Sequence, residues 1–324
     1  MPPTDAPALT GPVVFAHPAY RLGDAYAARG APGPFAEVRD LAGLEERIGE
    51  AEVLVVSQLW RHALLERAPR LRFIQSISAG TDQFPRDALR ARGIRLASAQ
   101  GGNERAVAEH ALALMLGLTR HLNVAQRDQA RGHWRPMIAD PALRQRELGG
   151  LTLLVVGLGR IGARIARLGR AFGMRVIGLR RRSIAEDDPV DAVFAPAALH
   201  EALGQADMVV LACPLTPETE HLIDAAALAA MRPGACLVNV ARGRVVDQDA
   251  LLRALGAGRL LGAGLDCFAE EPLPPDSPFW AMENVIVTPH SAGETGHYEA
   301  RVVGLLLDNL DRLRRGDALV NPIV

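Results

Sequence analysis

The stretch from Leu151 to Gly162 constrains the chain most, because a short apolar run ends directly in G-x-G-x-x-G, with Gly157, Gly159 and Gly162 as its glycines. The first glycine permits a tight turn, the second a close backbone approach to a pyrophosphate, and the third close packing of helix on strand. Backbone N–H groups and the positive end of the following helix then face the phosphates. A helix over residues 161–172, a stop at Gly173 and a second buried strand over 175–179 complete a βαβ unit of the expected size. A dinucleotide site is therefore predicted, with Gly157, Gly159, Arg160, Ile161 and Gly162 against the cofactor.

At the end of that second strand an Asp or Glu would accept hydrogen bonds from the adenosine ribose of NAD. This chain has Arg180 there, followed by Arg181, Arg182 and Ser183, and the reading leaves no carboxylate to repel a 2′-phosphate. The chain contains no Lys, so all 36 basic residues are Arg and any single one carries little information. Three in a row, with the acid missing, favour NADP(H) over NAD(H) through charge-assisted hydrogen bonds, although a solvated loop that tolerates both cofactors has a similar composition.

A length of 324 residues suggests two domains, and 49% hydrophobic with 23% charged residues suits a globular enzyme with a sizeable core. A formal net charge of −1 gives no reason to expect nucleic-acid or membrane binding. Cys213, Cys236 and Cys267 form no C-x-x-C pair, so reduced, buried thiols are expected, with neither a disulfide framework nor a metal site. Met1 to Pro7 carries no basic and apolar leader pattern, and no run reaches the ~18 apolar residues of a spanning helix. A cytoplasmic protein acting on small molecules is the expectation.

Strand-like runs at 13–16, 53–56, 73–77 and 94–97 alternate with amphipathic stretches and suggest a small α/β domain. A long Ala- and Leu-rich helix over 106–122 follows, apolar on more than one face, as suits burial against a neighbouring domain and a second subunit. Later strands are predicted at 208–212, 236–240, 260–265 and 285–287, giving six in a doubly wound sheet, with helices at 225–231 and 248–257. The last helix, 298–314, presents Val302, Val303, Leu305, Leu306, Leu310 and Leu313 on one face and is expected to return to the first domain. The fold class is thus α/β: a Rossmann-type cofactor domain over 104–292, and a smaller, discontinuous, flavodoxin-like substrate domain over 1–103 and 293–324 with a doubly hinged cleft.

Four stretches, taken with their order and spacing, resemble the D-isomer-specific 2-hydroxyacid dehydrogenases: Ser78-Ala79-Gly80-Thr81-Asp82, the Gly157 fingerprint, Asn239-Val240-Ala241-Arg242-Gly243, and Leu265-Asp266-Cys267-Phe268-Ala269-Glu270-Glu271-Pro272 with Thr288-Pro289-His290. Val107-Ala108-Glu109-His110 and Pro214-Leu215-Thr216-Pro217-Glu218-Thr219 extend the match, which runs from about residue 50 to the carboxyl end.

The resemblance implies catalysis by Arg242, Glu271 and His290. Arg242 would hold a 2-oxo acid's carboxylate and polarise its carbonyl, His290 would exchange a proton with the carbonyl oxygen, and Glu271 would orient the imidazole. Glu270 is adjacent to Glu271, and the family position is the Glu immediately before Pro272. The resemblance also implies cofactor contacts from Cys213, Pro214, Thr219, Ala241, Asp266 (to the nicotinamide carboxamide) and His290. Backbone N–H groups of Ser78, Ala79 and Gly80 would bind the substrate carboxylate, with Asp82 as a helix cap being a compatible structural reading. Cys213 reads as a small buried hydrophobe, with no base beside it in sequence. Trp134, in the segment joining the long helix to the cofactor domain, is a candidate substrate contact in the partner's site or an interface residue.

The activity implied is NADPH-preferring reduction of small 2-oxo acids to D-2-hydroxy acids by a metal-free homodimer. Glyoxylate or hydroxypyruvate leads among substrates, partly because the chain ends near Val320–Val324 without an appended regulatory domain. A dinucleotide-sensing corepressor of the same fold is the alternative from another class. Arg242, Glu271 and His290 together weigh against it. Which 2-oxo acid is used rests on pocket shape that no motif records.

Overall fold

The computed structural model describes residues 11–30, 33–181 and 188–324. Arg182, Ser183 and the amino-terminal residues read above for a leader lie outside these. The chain forms two compact units, one up to Asn103 that resumes at Thr295–Val324, and one of Glu104–Glu294.

The first unit runs β1 (Val13–Ala16), α1 (Leu22–Ala27), β2 (Phe35–Val38), α2 (Leu41–Arg47), β3 (Val53–Val56), β4 (Phe73–Ser76), α3 (Arg86–Ala91) and β5 (Arg95–Ala97). The strands pair in parallel in the order β2-β1-β3-β4-β5, which is the flavodoxin-like winding. In β1, β3 and β4 every residue is buried; β1 and β3 read as continuous apolar runs, as parallel strands covered on both faces do, while β4 also buries Gln75 and Ser76. β2 escaped the sequence reading for the complementary reason. It is an edge strand whose residues are exposed or half-buried and include Glu37, so no apolar run marks it.

The second unit contains α4 (Glu104–Thr119), α5 (Leu122–Ala130), β6 (Thr152–Val156), α6 (Arg160–Ala171), β7 (Arg175–Leu179), β8 (Ala192–Phe194), α7 (Leu199–Gln205), β9 (Met208–Leu211), α8 (Ala225–Ala230), β10 (Cys236–Asn239), α9 (Gln248–Gly256), β11 (Gly262–Leu265) and β12 (Val285–Val287). Its parallel sheet has the order β12-β11-β10-β9-β6-β7-β8, so the winding reverses between β6 and β9. This is the Rossmann order with one strand added. Seven strands replace the six expected. The extra one, β8, is a three-residue edge strand, half-buried throughout, too short to leave a periodic signal.

The single helix expected over 106–122 is broken. α4 ends at Thr119 and α5 starts at Leu122, with His121 between them in the left-handed region at φ 54°. α4 lies directly on the sheet, burying Leu114, Met115 and Leu118, each worth about 1.5–3 kcal/mol when fully removed from water. The seat is made by glycine: a Cβ on Gly264 would stand 2.9 Å from Leu114 Cβ, and one on Gly117 would stand 2.7 Å from Ile286 Cδ1. The glycines of β11 therefore serve helix packing.

The last helix, α10 (Tyr298–Arg315), belongs to the first unit and buries Val302, Val303, Leu306 and Leu310. Leu305 and Leu313, expected on the same face, are only partly buried. Asn309 is fully buried and satisfied: its amide donates to Gln75 Oε1 at 2.9 Å and accepts from the Val320 N–H at 2.7 Å. Among the described residues no helix is long and apolar enough to cross a membrane.

Candidate active site

In the second unit the singled-out residues converge on one edge of the sheet, because all seven strands are parallel and each hands its following loop to the same side. Gly157 follows β6, Arg180 follows β7, Cys213 follows β9, Arg242 follows β10, Asp266 and Glu271 follow β11, and Thr288 and His290 follow β12. Ligands of doubly wound sheets bind at this carboxyl edge, beside the point where strand order reverses.

The three fingerprint glycines have distinct reasons. Gly157 has φ 95°, and a Cβ there would meet the Cys213 backbone at 2.8 Å. A Cβ on Gly162 would fall 1.9 Å from the Gly157 carbonyl oxygen, so this glycine lets α6 start against the turn. A Cβ on Gly159 would meet nothing within 4 Å among the described residues. Gly159 is exposed and stands at the N-cap of the 12-residue α6. Its bareness serves no internal packing and suits an external group brought against the backbone, as a pyrophosphate at a helix N-terminus is. Arg160 and Ile161, in the first turn of α6, are exposed and half-buried.

The loop after β9 is held by its own hydroxyls. Thr219 Oγ1 donates to the Pro214 carbonyl at 2.7 Å and accepts from the Thr216 N–H at 2.8 Å. Cys213 is buried, and burial pushes its thiol up to about 11, which leaves it protonated and inert. The exposed Glu218 carboxyl is held below its ordinary value first by the Thr216 hydroxyl, then by its own backbone N–H, and to a lesser extent by Arg181. The three cysteines are free and buried. Among the described residues no cluster of His, Cys, Asp or Glu could hold a metal.

The expectation that no carboxylate remains by Arg180 is overturned. Both terminal guanidinium nitrogens of Arg180 donate to the carboxylate of Asp188, one of them to Oδ1 at 2.9 Å. Asp188 escaped notice because it lies eight residues away along the chain, where only the fold brings it back.

Arg242, Glu271 and His290 come together around the loops after β10, β11 and β12. The Asn239 side chain shapes the first loop, accepting from the Ala241 N–H and donating to the Arg242 carbonyl, both at 3.0 Å. Arg242 Nη1 donates to the Ala241 carbonyl at 2.8 Å. Gly243 then passes so close to the next loop that a Cβ would lie 1.8 Å from the Phe268 carbonyl carbon. Across that contact, Glu271 Oε1 accepts from the Phe268 N–H at 2.9 Å, and Oε2 faces His290 Nδ1 at 2.8 Å. Glu270 makes no such pair in the described hydrogen bonds, so the choice of Glu271 between the two rests on geometry as well as on its place before Pro272.

Electrostatics follow this geometry. The Glu271 hydrogen bond is the largest influence on His290 and raises its pKa; burial and Arg242 act in the opposite sense, and the Glu271 and Asp266 charges add to the rise. For Glu271, burial pushes the carboxyl up, but the His290 hydrogen bond, the Phe268 N–H and the nearby cations outweigh it and bring the group below its ordinary value. The pair therefore favours imidazolium beside carboxylate.

Asp266 organises the backbone behind His290. It is 2% exposed, and its carboxylate accepts from the Thr288 hydroxyl at 2.6 Å, the Ser291 N–H at 2.9 Å and the Ala292 N–H at 3.1 Å. These bonds bracket His290, whose backbone adopts φ 54°, a conformation a non-glycine residue keeps only when its surroundings hold it there. His110 Nε2, on α4, lies 3.0 Å from Thr288 Oγ1. The hydroxyl's one proton goes to Asp266, so the network assigns His110 Nε2 as the donor. Sequence reasoning gave His110 and Thr288 no role beyond the family match, since 178 residues separate them.

Ser78, Ala79 and Gly80 follow β4 in the first unit. The Ser78 N–H donates to Ser76 Oγ at 3.1 Å, so the amides left for an anion are those of Ala79 and Gly80. The following helix α3 has Pro85 at its N-cap, which removes Asp82 from the capping role. Trp134 is 95% exposed, on a segment without regular secondary structure that also exposes Met137 to the same degree.

Comparison with known proteins shows the family to which the chain belongs. The profile of the family described as "D-isomer specific 2-hydroxyacid dehydrogenase, NAD binding domain" matches residues 112–292. A glyoxylate reductase of Korarchaeum cryptofilum is 35% identical over 283 residues, covering 86% of this chain and 84% of the relative. A glyoxylate/hydroxypyruvate reductase B of Pectobacterium carotovorum is 38% identical over 266 residues, covering 80% and 82%. A D-isomer specific 2-hydroxyacid dehydrogenase of Xanthobacter autotrophicus, solved with NADPH and MES, superposes with a TM-score of 0.79 at 29% identity, covering 97% of this chain and 98% of that one.

Proposed function

Because the chain belongs to the D-isomer-specific 2-hydroxyacid dehydrogenases, we propose that it reduces a small 2-oxo acid of the glyoxylate or hydroxypyruvate type to the D-2-hydroxy acid, with NADPH preferred over NADH. The observation that carries the proposal is the His290 to Glu271 contact of 2.8 Å with Arg242 close enough to influence both charges. The names of the glyoxylate and hydroxypyruvate reductases support the substrate class. The Arg180-Arg181 pair and the NADPH-bound relative support the cofactor preference.

A bound reduced nicotinamide dinucleotide would supply the hydride that the carbonyl carbon receives. Arg242 binds the substrate carboxylate through its planar fork and draws charge from the adjacent carbonyl oxygen. His290, with Nδ1 engaged by Glu271, presents Nε2–H to that oxygen and releases its proton as the alkoxide forms. Glu271 keeps the imidazolium ready and fixes the ring's orientation. Asp266 holds the backbone on either side of His290 and would accept from the carboxamide, while Gly157, Gly159, Arg160, Ile161, Gly162, Cys213, Pro214, Thr219 and Ala241 would border the rest of the dinucleotide.

The working assembly is a homodimer. Trp134 and Met137 at 95% exposure, with exposed Leu122 and Leu143 near them in sequence, are the large apolar side chains that a second copy would cover. In that assembly Trp134 reaches the partner's substrate. Sedimentation equilibrium giving twice the chain mass, together with a changed preference among 2-oxo acids in Trp134→Ala, tests both statements. Its three reduced, buried thiols fit a cytoplasmic setting. The experiment that tests the function itself is the assay of 2-oxo acid reduction described at the end of the Discussion.

A further inference from the structure

We propose that Asp188 limits the preference for NADP(H), by competing with its 2′-phosphate for Arg180. This deepens the cofactor reading above and rests on it. Arg180 stands at the carboxyl end of β7, its N–H bonded to the Phe194 carbonyl at 3.1 Å, where the adenosine ribose of a dinucleotide lies in a doubly wound sheet. Its fork closes on Asp188 through two parallel hydrogen bonds, and the two side chains are only 19% and 15% exposed. A pair so sheltered and so aligned is stronger than an ordinary surface ion pair.

Two consequences follow from its chemistry. A 2′-phosphate offers Arg180 a pair of acceptor oxygens, as Asp188 already does, so NADP(H) competes with Asp188 for the guanidinium fork and brings a dianion beside a carboxylate. A 2′-hydroxyl instead donates to Asp188 and leaves the Arg180 pair intact. Asp188 thereby supplies, from eight residues further along the chain, the acid that the end of β7 lacks. The arginines favour NADP(H), and Asp188 limits how strongly.

The test is calorimetric titration of NADP+ and NAD+ into the wild-type protein, Asp188→Asn, Asp188→Ser, Arg180→Ala and the Arg180→Ala/Asp188→Asn double variant, with circular dichroism and thermal midpoints recorded for each. Asp188→Asn is expected to tighten NADP+ about tenfold and to weaken NAD+ severalfold, with Asp188→Ser acting in the same sense. In the Arg180→Ala background, Asp188→Asn is expected to change NADP+ affinity by less than about twofold, the mark of a coupled pair. A folded Asp188→Asn or Asp188→Ser protein whose NAD+ to NADP+ ratio is unchanged overturns the proposal. If Arg180→Ala still weakens NADP+ in that case, the cofactor reading stands without it; if Arg180→Ala is also silent, both fall.

Discussion

His290 Nδ1 and Glu271 Oε2 lie 2.8 Å apart although 19 residues separate them in the chain. The contact exists because the loops after β11 and β12 leave neighbouring parallel strands on the same edge. It turns an imidazole of ordinary basicity into one with a raised pKa, which is the condition for donating a proton near neutral pH.

The pH dependence of reduction follows in sign. Below the raised pKa of His290 the ring carries both protons and can supply one, so kcat/KM for 2-oxo acid reduction falls as pH rises through that pKa; the oxidative direction rises over the same range. In Glu271→Gln the largest raising influence is gone, and the alkaline limb for reduction shifts to lower pH. Rates measured from pH 5 to 9 check the direction, and an unmoved limb contradicts it.

Arg242→Lys keeps the charge and loses the fork. Two charge-assisted hydrogen bonds are then degraded, and kcat/KM for the 2-oxo acid is expected to fall by about 10²–10⁴. NADP+ affinity in the same variant stays close to wild type, because Arg242 serves the substrate. Steady-state kinetics beside a dinucleotide titration separates the two effects.

The fingerprint glycines divide by what surrounds them. Gly159→Ala places its methyl in open space, so folding stability changes by less than about 1 kcal/mol, while NADP+ binding weakens by at least about tenfold as the methyl meets the pyrophosphate. Gly162→Ala drives its methyl into the Gly157 carbonyl and costs roughly 1–3 kcal/mol or more of stability. Urea unfolding of the apo proteins and dinucleotide titration read the contrast.

Thr288→Val removes a donor to the buried Asp266 carboxylate and the acceptor of His110. Leaving these groups short of partners is expected to cost about 1–3 kcal/mol, and Thr288→Ser restores most of it. Denaturant midpoints of the three proteins decide the matter.

Much of this was legible in the sequence, and what was missed shares a physical character. Apolar runs announce buried strands, so β1, β3, β6 and β9 were found; β2 and β8, edge strands without one fully buried residue, were not. Arg242, Glu271 and His290 were singled out through the family resemblance of the motifs that carry them, and the fold brings them to one edge of the sheet. Asp188, His110 and Thr288 were not, because their roles depend on side chains meeting across the fold, which no local spacing encodes. The helix expected over 106–122 failed at His121, where a left-handed residue that sequence does not advertise ends one helix and starts another.

The most direct measurement is the initial rate of NADPH oxidation with glyoxylate, hydroxypyruvate, pyruvate and phenylpyruvate, for the wild-type protein and His290→Ala, alongside NADP+ titration of both. The account predicts turnover with at least one small 2-oxo acid, its loss by about 10²–10⁴ in His290→Ala, and dinucleotide binding retained in the variant. Tight dinucleotide binding with no turnover by the wild-type protein on any of these acids contradicts it, and leaves a protein that senses the cofactor without using it.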